Sequence, residues 1–240
     1  MTRSIKVIML SWEFPPRIVG GIAPHVYDLS LALSRLGVDV HVITCDFPGA
    51  DEYEKIDRVQ VYRVDSYRFP ASDFASWTFM MNTNMIRKEI EIFKHNRRDI
   101  DIIHAHDWLV AKSAISLKHI FRIPMVATIH STEYGRRNGL YSNYQKMIHQ
   151  TEKWFSHEAW RVICCSYYMA SHISSNLSIP KENIVTFPNG VDINKFVEPY
   201  DVDKFRNQFA EPHEKLILYV GRLVYEKGAH ILIRSAPKIL

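Results

Sequence analysis

The 240-residue sequence has few cysteines and no long apolar segment, and both absences limit what the protein can be. Its three cysteines, Cys45, Cys164 and Cys165, lie in or beside apolar runs and lack the spacing of a disulfide framework or a zinc site. No apolar run is long enough to cross a bilayer, and the N-terminus lacks the pattern of a signal peptide. We therefore expect reduced thiols and a cytoplasmic protein.

An excess of charge of one sign is also missing. The 30 Lys and Arg residues outnumber the 26 Asp and Glu residues by only four, while 47% of the residues are hydrophobic. This composition excludes a disordered chain and indicates a globular one. A small positive excess suits anionic ligands, but nucleic acid binding would need basic residues gathered in a patch. We expect no nucleic acid partner.

Glycine is too sparse to build the common nucleotide-binding loops. The nine glycines form no Gly-x-Gly and no Gly-Lys-Ser/Thr, so the dinucleotide fingerprint and the P-loop are both absent. Gly20 and Gly21 are adjacent, and they stand between the first apolar run and a helix pattern. Paired glycines let a ligand approach the backbone, and the N–H groups of a helix start attract anions. A plain turn explains the pair equally well.

What the sequence does contain is an alternation of apolar runs with helix-like stretches. The runs that predict strands cover residues 6–10, 38–43, 59–62, 100–103, 125–129, 162–165, 183–187 and 216–220. The helix patterns cover residues 26–36, 141–160 and 229–240. Near-continuous apolar runs are typical of strands buried on both faces. The alternation predicts an α/β fold with a doubly wound, mainly parallel, Rossmann-like sheet.

A polar stretch containing two prolines, residues 198–214, is the predicted domain boundary. We predict an N-terminal domain over residues 1–200, a linker over 201–214 and the first elements of a second Rossmann-like domain over 215–240. One strand and one helix cannot close a core. We therefore expect the second domain to be cut short or to need a partner chain.

Polar residues lie where two neighbouring predicted strands end. The first set is His104, His106 and Asp107, and the second is His130, Glu133 and Tyr134. The carboxyl ends of parallel strands meet at one edge of a sheet, where such folds bind ligands. A metal site would favour His-x-His-x-Asp-His, but Asp107 follows His106 directly. We predict a ligand-binding cluster without a metal, and we expect His104 to be a core residue.

Two further segments complete the candidate site. Asn189 lies in Pro-Asn-Gly-Val-Asp after the next strand, where a turn alone also explains the sequence. Arg222 and Lys227 lie in Gly-Arg-Leu-Val-Tyr-Glu-Lys-Gly after the last apolar run. Two cations so placed can neutralise a diphosphate that gains charge as it leaves.

These motifs occur in the same order in retaining glycosyltransferases of the GT-B fold. From residue 5 to its end, the chain resembles glycosyltransferase family 4 (group 1) and the related glycogen and starch synthases. The Gly-Arg-Leu-x-x-Glu-Lys-Gly element is the most specific part of the likeness. Bacterial glycogen synthases carry a lysine two residues before the paired glycines, where this sequence has Ile18. That difference favours the wider family.

The resemblance implies transfer of a hexose from a nucleoside diphosphate sugar to a glycan or other acceptor, with retention and without a metal or other cofactor. His130 and Asp107 would be catalytic, with His130 stabilising the developing oxocarbenium ion and Asp107 near the acceptor. The donor phosphates would be bound by Gly20, Gly21, Arg222 and Lys227. The acceptor or the sugar would be bound by His106, Glu133, Tyr134 and Asn189.

The family's Glu-x7-Glu element, which grips the donor sugar and ribose, does not occur in the sequence. We therefore expect this chain alone to be inactive and to need a missing C-terminal domain. Two alternatives stay open for its function: a GT-B UDP-sugar epimerase, and a non-catalytic or split acceptor-binding half. Weak peripheral membrane contact through residues 67–69, 77–81 and 87–88 is a further possibility, although core or lid packing explains residues 77–81 better.

Overall fold

The computed structural model of the protein describes residues 4–66, 70–93, 100–197 and 201–239. Contacts divide the chain into two compact units, residues 1–189 and residues 190–240. The first unit is an α/β structure built on one eight-stranded sheet. Its strands are β1 (Lys6–Leu10), β2 (Asp39–Cys45), β3 (Tyr53–Ile56), β4 (Val59–Val64), β5 (Ile102–His106), β6 (Met125–Ile129), β7 (Arg161–Cys164) and β8 (Ile184–Thr186). Its helices are α1 (Ile22–Arg35), α2 (Phe74–Ile92), α3 (Ala111–Phe121), α4 (Glu133–Arg137), α5 (Asn143–Glu158) and α6 (Tyr167–Asn176).

The strand order across the sheet is β3-β4-β2-β1-β5-β6-β7-β8. All neighbouring strands are parallel except β3 and β4, which form an antiparallel pair at one edge. Strand order reverses at β1, which pairs with β2 on one side and with β5 on the other. Ligands of open α/β sheets bind outside the carboxyl ends of the strands at such a reversal.

The two faces of the sheet carry separate apolar cores, because successive strand side chains point to opposite faces. On β1, Val7 and Met9 belong to one core together with Val26 of α1. Ile8 and Leu10 belong to the other core, which includes Met81 of α2 and residues of α3 and α5. The predicted doubly wound, mainly parallel α/β sheet is confirmed.

Polar side chains cap the helices that follow the strands. Thr132, Ser142 and Ser166 accept hydrogen bonds from backbone N–H groups in the first turns of α4, α5 and α6. Ser142 and Gln145 form a reciprocal capping box. Each cap satisfies a donor that the helix itself leaves unpaired and is worth about 1 kcal/mol. Each cap therefore fixes the residue at which its helix begins.

Seven of the eight predicted strands form, but the run at residues 216–220 does not. Within the second unit, the described residues contain α7 (Val202–Arg206) and α8 (Ala229–Ile239), and no strand. A strand requires a hydrogen-bonded neighbour, and this run finds none among residues 201–239. The predicted strand is therefore wrong for this structure, whereas the helix predicted over residues 229–240 is confirmed at its described residues, 229–239. The domain boundaries remain predictions.

The aromatic and basic segment considered for membrane contact is mostly helix α2. Trp77 and Met81 are buried in the core, while Phe79 is exposed. The packing interpretation therefore accounts for Trp77 and Met81, and residues 67–69 lie outside the described residues. In the part of the chain that the structure describes, no helix combines the length and the apolar character needed to cross a membrane.

Candidate active site

The polar residues at the ends of β5 and β6 meet at the carboxyl edge of the sheet, as predicted. β5 and β6 are adjacent and in register, with His104 opposite Val126 and His106 opposite Thr128. The loop after β1 and the first turn of α1 border the same edge, and His25 comes from that turn. The sheet therefore brings one cleft wall together from three strands.

Asp107 follows β5 in a backbone conformation that L-residues rarely adopt. Its φ of 61° and ψ of 169° lie in a region populated almost only by glycine, at a cost of about 1–3 kcal/mol. Its Oδ1 accepts a hydrogen bond from the backbone N–H of His130 at 2.7 Å. Its own N–H donates to the Thr128 carbonyl at 2.9 Å. The strained turn thus fastens the end of β5 to the end of β6.

Three histidine rings gather beside this turn. The ring of His25 lies 4.6 Å from that of His130 and 5.5 Å from that of His106, measured between centroids. Nδ1 of His106 lies 3.2 Å from Nε2 of His130, which pairs a donor with an acceptor. His104 is buried, and its Nε2 lies 2.7 Å from the Thr128 hydroxyl, as expected of a core histidine.

Burial keeps these rings uncharged. It lowers the pKa of His25 and that of His130 to about 4, and that of His104 to about 3. The pKa of the fully buried His106 falls well below its usual value for the same reason. Burial has the opposite effect on the neighbouring acid and raises the pKa of Asp107 to about 6, against the hydrogen bond from His130. At neutral pH the site holds neutral imidazoles beside one carboxylate.

The paired glycines lie in a loop that Glu13 organises. Oε2 of Glu13 accepts hydrogen bonds from the N–H groups of Val19 and Gly20, at 2.6 and 2.8 Å. The Gly20 amide is therefore already bonded in this structure. Gly21 is the N-cap residue of α1 and has an ordinary φ of −74°, and a Cβ built on it would meet nothing within 4 Å. Open space, rather than backbone strain, distinguishes Gly21.

Arg17 does not take the place of the lysine that glycogen synthases carry at the position of Ile18. Its guanidinium packs over the rings of Trp12 and Trp77, 5.6 and 5.7 Å from their centroids, and donates to the Asp46 carbonyl. Such cation–π contacts are structural. Ile18 itself is 64% exposed.

A buried acidic pair lies behind the end of β6. Glu133 is mostly buried and lies 3.3 Å from a guanidinium nitrogen of Arg136. Its backbone N–H donates at 2.8 Å to Glu152, which extends from the middle of α5. Burial raises the pKa of Glu152 to about 8. The predicted Glu133 is thus brought to the site region, while Tyr134 is 37% exposed and lies against His172.

Asn189 and Cys165 extend the site past β7. Asn189 lies beside His25 and Cys165, where its side chain raises the pKa of His25 and lowers that of Cys165, in each case against the larger effect of burial. The Cys165 sulfur lies 3.9 Å from Nδ1 of His130. Burial, aided by the nearby Cys164 and Asp107, raises the pKa of the Cys165 thiol, so this cysteine is not an activated nucleophile. The structure therefore joins the predicted Asn189 to the histidines.

The predicted phosphate-binding cations belong to the second unit. Arg222 is exposed in an irregular segment, and Lys227 ends a short 3₁₀ turn, Tyr225–Lys227. Their roles toward donor phosphates remain predictions, as do the roles of Gly20 and Gly21.

Three residues of this site were not predicted from the sequence: Glu13, His25 and Glu152. Glu13 lies between the first apolar run and the paired glycines, a segment in which only the glycines were predicted to bind a ligand. His25 fell one residue before the predicted start of the first helix, although its position four residues after Gly21 is where a first turn returns to the loop. Glu152 interrupts the apolar face of an amphipathic helix, and that interruption was the available signal.

The fold and the site together define a class. A doubly wound parallel sheet with a polar cleft at its carboxyl edge matches GT-B glycosyltransferases. Sucrose-phosphate synthase from Thermosynechococcus elongatus superposes with a TM-score of 0.79 over 98% of this chain and 60% of that one, at 19% identity. At that identity the likeness shows the fold alone.

Sequence comparison then gives the family. Residues 19–195 match Glycosyltransferase Family 4, and the chain belongs to that family. It is 40% identical to an uncharacterized glycosyltransferase of Methanocaldococcus jannaschii, covering 98% of this chain and 60% of that protein. It is 35% identical to a glycogen synthase of Mycobacterium tuberculosis, covering 98% of this chain and 58% of that protein. The chain thus spans about three fifths of the length of these relatives.

Proposed function

We propose that the protein is the acceptor-side part of a hexosyltransferase that uses a nucleoside diphosphate sugar and retains the configuration of the transferred sugar. The observation that carries the proposal is the contact between the Asp107 carboxylate and the His130 backbone. It fixes His130 at the carboxyl edge of the sheet, beside His25 and His106. This is where the family resemblance expects the transferred hexose.

The electrostatics of the cleft suit a transition state that carries positive charge on the sugar. Neutral imidazoles exchange hydrogen bonds with sugar hydroxyls and do not repel an oxocarbenium ion, whereas imidazolium rings would. The Asp107 carboxylate is ionised at neutral pH and lies beside His130. A fixed negative charge close to a developing cation lowers the barrier without any reorganisation of the site.

For the donor, the proposal assigns the diphosphate to the glycine loop and to Arg222 and Lys227. Space beside Gly21 admits a phosphate close to the backbone, and two cations supply the charge that a metal supplies in other transferases. The similarity to a glycogen synthase supports a glucosyl donor and a glucan acceptor. Because Ile18 stands where glycogen synthases carry a lysine, the proposed acceptor is a glycan or another acceptor and is not restricted to a glucan.

We further propose that the activity needs chain beyond these 240 residues. Residues 216–220 form no strand among the described residues of the second unit, and the sequence lacks the Glu-x7-Glu element. The small net charge supports the expectation of no nucleic acid partner, and the cysteine content supports the cytoplasm. Membrane contact has weaker support because Trp77 and Met81 are buried.

The test is a turnover assay of the full-length protein and of this chain, with UDP-, ADP- and GDP-sugars and a set of glycan acceptors. We expect transfer by the full-length protein and none by the chain alone. Product analysis by NMR gives the anomeric configuration and separates transferred sugar from an epimerised donor. Donor binding without turnover would favour a non-catalytic module.

Matched variants assign the site. In the full-length protein, His130→Ala and Asp107→Asn are expected to lower kcat by about 10²–10³-fold, as loss of one preorganised electrostatic contact does. His119→Ala removes an exposed imidazole that pairs with Glu158 and should leave kcat unchanged. Undiminished transfer by both site variants would contradict the assignment.

A further inference from the structure

His25, His106 and His130 form a set whose ring nitrogens converge, which contacts with a sugar alone do not require. One ring nitrogen of each residue lies within 4.8 Å of the corresponding nitrogens of the other two. Among the described residues, no other group of three histidine, cysteine or acidic side chains converges in this way. His25 comes from α1, His106 from β5 and His130 from the end of β6, so the set closes only in the folded protein.

The spacing of these nitrogens is close to that of a tetrahedral metal centre. Zn–N bonds of about 2.0–2.1 Å at tetrahedral angles place ligand nitrogens about 3.3 Å apart. Nδ1 of His106 and Nε2 of His130 are 3.2 Å apart. One nitrogen of His25 lies within 4.8 Å of a nitrogen on each of the other two rings. His25 would therefore move inward to complete the set, and it lies in the first turn of α1, next to the open space at Gly21.

Hydrogen bonding separates the converging set from His104. Nε2 of His25 is buried without a hydrogen-bond partner among the described residues, and such a buried nitrogen is costly. Nδ1 of His106 faces Nε2 of His130, so a hydrogen lies between these two nitrogens where a divalent ion would replace it. His104, next on the same strand face as His106, has its Nε2 bonded to Thr128 instead. His104 therefore does not belong to the converging set.

The ligand type selects the class of ion. Imidazole nitrogens suit zinc, copper, nickel and cobalt, whereas magnesium, calcium and manganese prefer oxygen ligands. Three imidazoles on a tetrahedral ion leave one position for water or another ligand. Asp107 does not fill that position through Oδ1, which is bonded to the His130 backbone.

We propose that His25, His106 and His130 bind a late first-row divalent ion such as Zn²⁺, and that the bound ion inhibits the protein. Binding itself needs no assumption about function. The inhibition rests on the proposed function, because the ion would engage the His130 and His106 rings that are assigned there to the sugar. Metal in this site blocks the cleft and is not a cofactor.

Binding is tested on the 240-residue chain after treatment with a chelator. Calorimetric titration with Zn²⁺ should give one site per chain, and Co²⁺ should give the visible absorption of a tetrahedral nitrogen-ligated centre. His25→Gln and His130→Gln should each weaken Zn²⁺ binding by at least about tenfold, since even the loss of an outer-shell partner costs that much. His119→Ala, which removes an exposed imidazole elsewhere in the same unit, should change nothing.

Two results would overturn the site: no Zn²⁺ binding up to millimolar concentration, or binding that both glutamine variants leave unchanged. Circular dichroism of the variants separates loss of ligands from loss of fold, and His25→Gln, at a half-buried position, is the safer of the two.

Inhibition is tested separately on the full-length protein. Zn²⁺ should lower transfer in competition with the donor sugar, a chelator should restore it, and His25→Gln should make the protein less sensitive. Activity that a chelator abolishes would contradict an inhibitory ion and indicate a cofactor. Zn²⁺ binding to a protein that shows no transfer would leave the site standing and reject the proposed function.

Discussion

At the residue scale, the site depends on a few side chains whose surroundings could not be predicted from the sequence. His104, His106, His130 and Asp107 were predicted because they end or follow apolar runs. Glu152 was not, because its role depends on α5 packing it under the N-terminus of α4. Sequence periodicity shows which face of a helix is apolar, but it does not show which polar group that face covers.

Glu152 makes the stability of the protein depend on pH. Its pKa is raised to about 8 by burial, so the native state keeps a proton that the unfolded state releases above its ordinary pKa of 4.5. Stability from this group is therefore full below that value and falls as pH rises toward 8. Glu152→Gln cannot ionise, and its amide oxygen can still accept from the Glu133 N–H. Between about pH 5 and pH 8, the free energy of unfolding of this variant should therefore rise by on the order of 3–5 kcal/mol relative to that of the wild type.

Urea denaturation at both pH values measures this gain. Glu158→Gln on the same helix is the control. In the wild type, a hydrogen bond from Lys118 to Glu158 holds the pKa of Glu158 below its usual value. Both its native and unfolded forms are ionised over most of this range, so the effect of that substitution should stay nearly constant. Parallel curves for Glu152→Gln and the wild type would show that Glu152 is ionised in the fold.

The two glycine types in the chain should respond differently to alanine. Gly21 has an ordinary φ and open space, so Gly21→Ala should change the free energy of unfolding by less than about 1 kcal/mol. Gly37 has a φ of 87°, so Gly37→Ala should cost about 1–2 kcal/mol. In the full-length protein, Gly21→Ala should nevertheless weaken donor binding, measured by calorimetry. Unchanged donor affinity would remove Gly21 from the phosphate site.

At the element scale, strands with continuous apolar runs were predictable, including the edge strand β8, whereas β3 and α2 were not. β1 and β6 form at the predicted residues, because continuous apolar runs need both faces covered. β3 was missed because its side chains are partly exposed on both faces of an edge strand. Helix α2 was missed because buried Thr78 and Asn82 interrupt its apolar pattern. The run at 216–220 was predicted as a strand and does not form one, because apolar composition alone does not supply a pairing partner.

Asn82 joins two helices, and its loss should be costly. Its Nδ2 donates to the carbonyl groups of Thr78 and Leu109, each at 2.7 Å, and its Oδ1 accepts from the N–H of Ser113 at 2.8 Å. Asn82→Ala leaves a buried N–H and a buried carbonyl without partners, so it should destabilise the protein by about 2–4 kcal/mol. Thr83→Ala, on the exposed side of the same helix, should stay within about 0.5 kcal/mol of the wild type. Denaturant unfolding compares them, and equal effects would mean that α2 does not depend on this bridge.

At the scale of the whole molecule, the alternating pattern predicted the class of the sheet, and tertiary structure decided its strand order. Nothing in the sequence shows that β1 lies between β2 and β5. The division after residue 189 likewise follows from contacts, whereas sequence analysis relied on prolines and charge.

The two units should differ in backbone protection. The β1 amides are hydrogen-bonded within the sheet and covered on both faces, so they should exchange with solvent only on global unfolding. Residues 216–220 make no ladder with described residues, so their amides should exchange within the shortest labelling time. Hydrogen exchange with mass spectrometry measures both segments in one experiment. Protection at 216–220 in the isolated chain would show that this run finds a pairing partner in solution.

The central place of β1 also bears on how the protein is made. Val7 pairs with Val40 and with Ile102, so one neighbour is synthesised soon after β1 and the other much later. At about 5–20 residues per second, the ribosome needs roughly 5–20 s to reach β5 after β1. During that interval β1 lacks one neighbouring strand, and the apolar side chains of β1 and β2 lack much of the cover on one face. A nascent chain in this state is a natural client for a chaperone, and slower translation would lengthen its exposure.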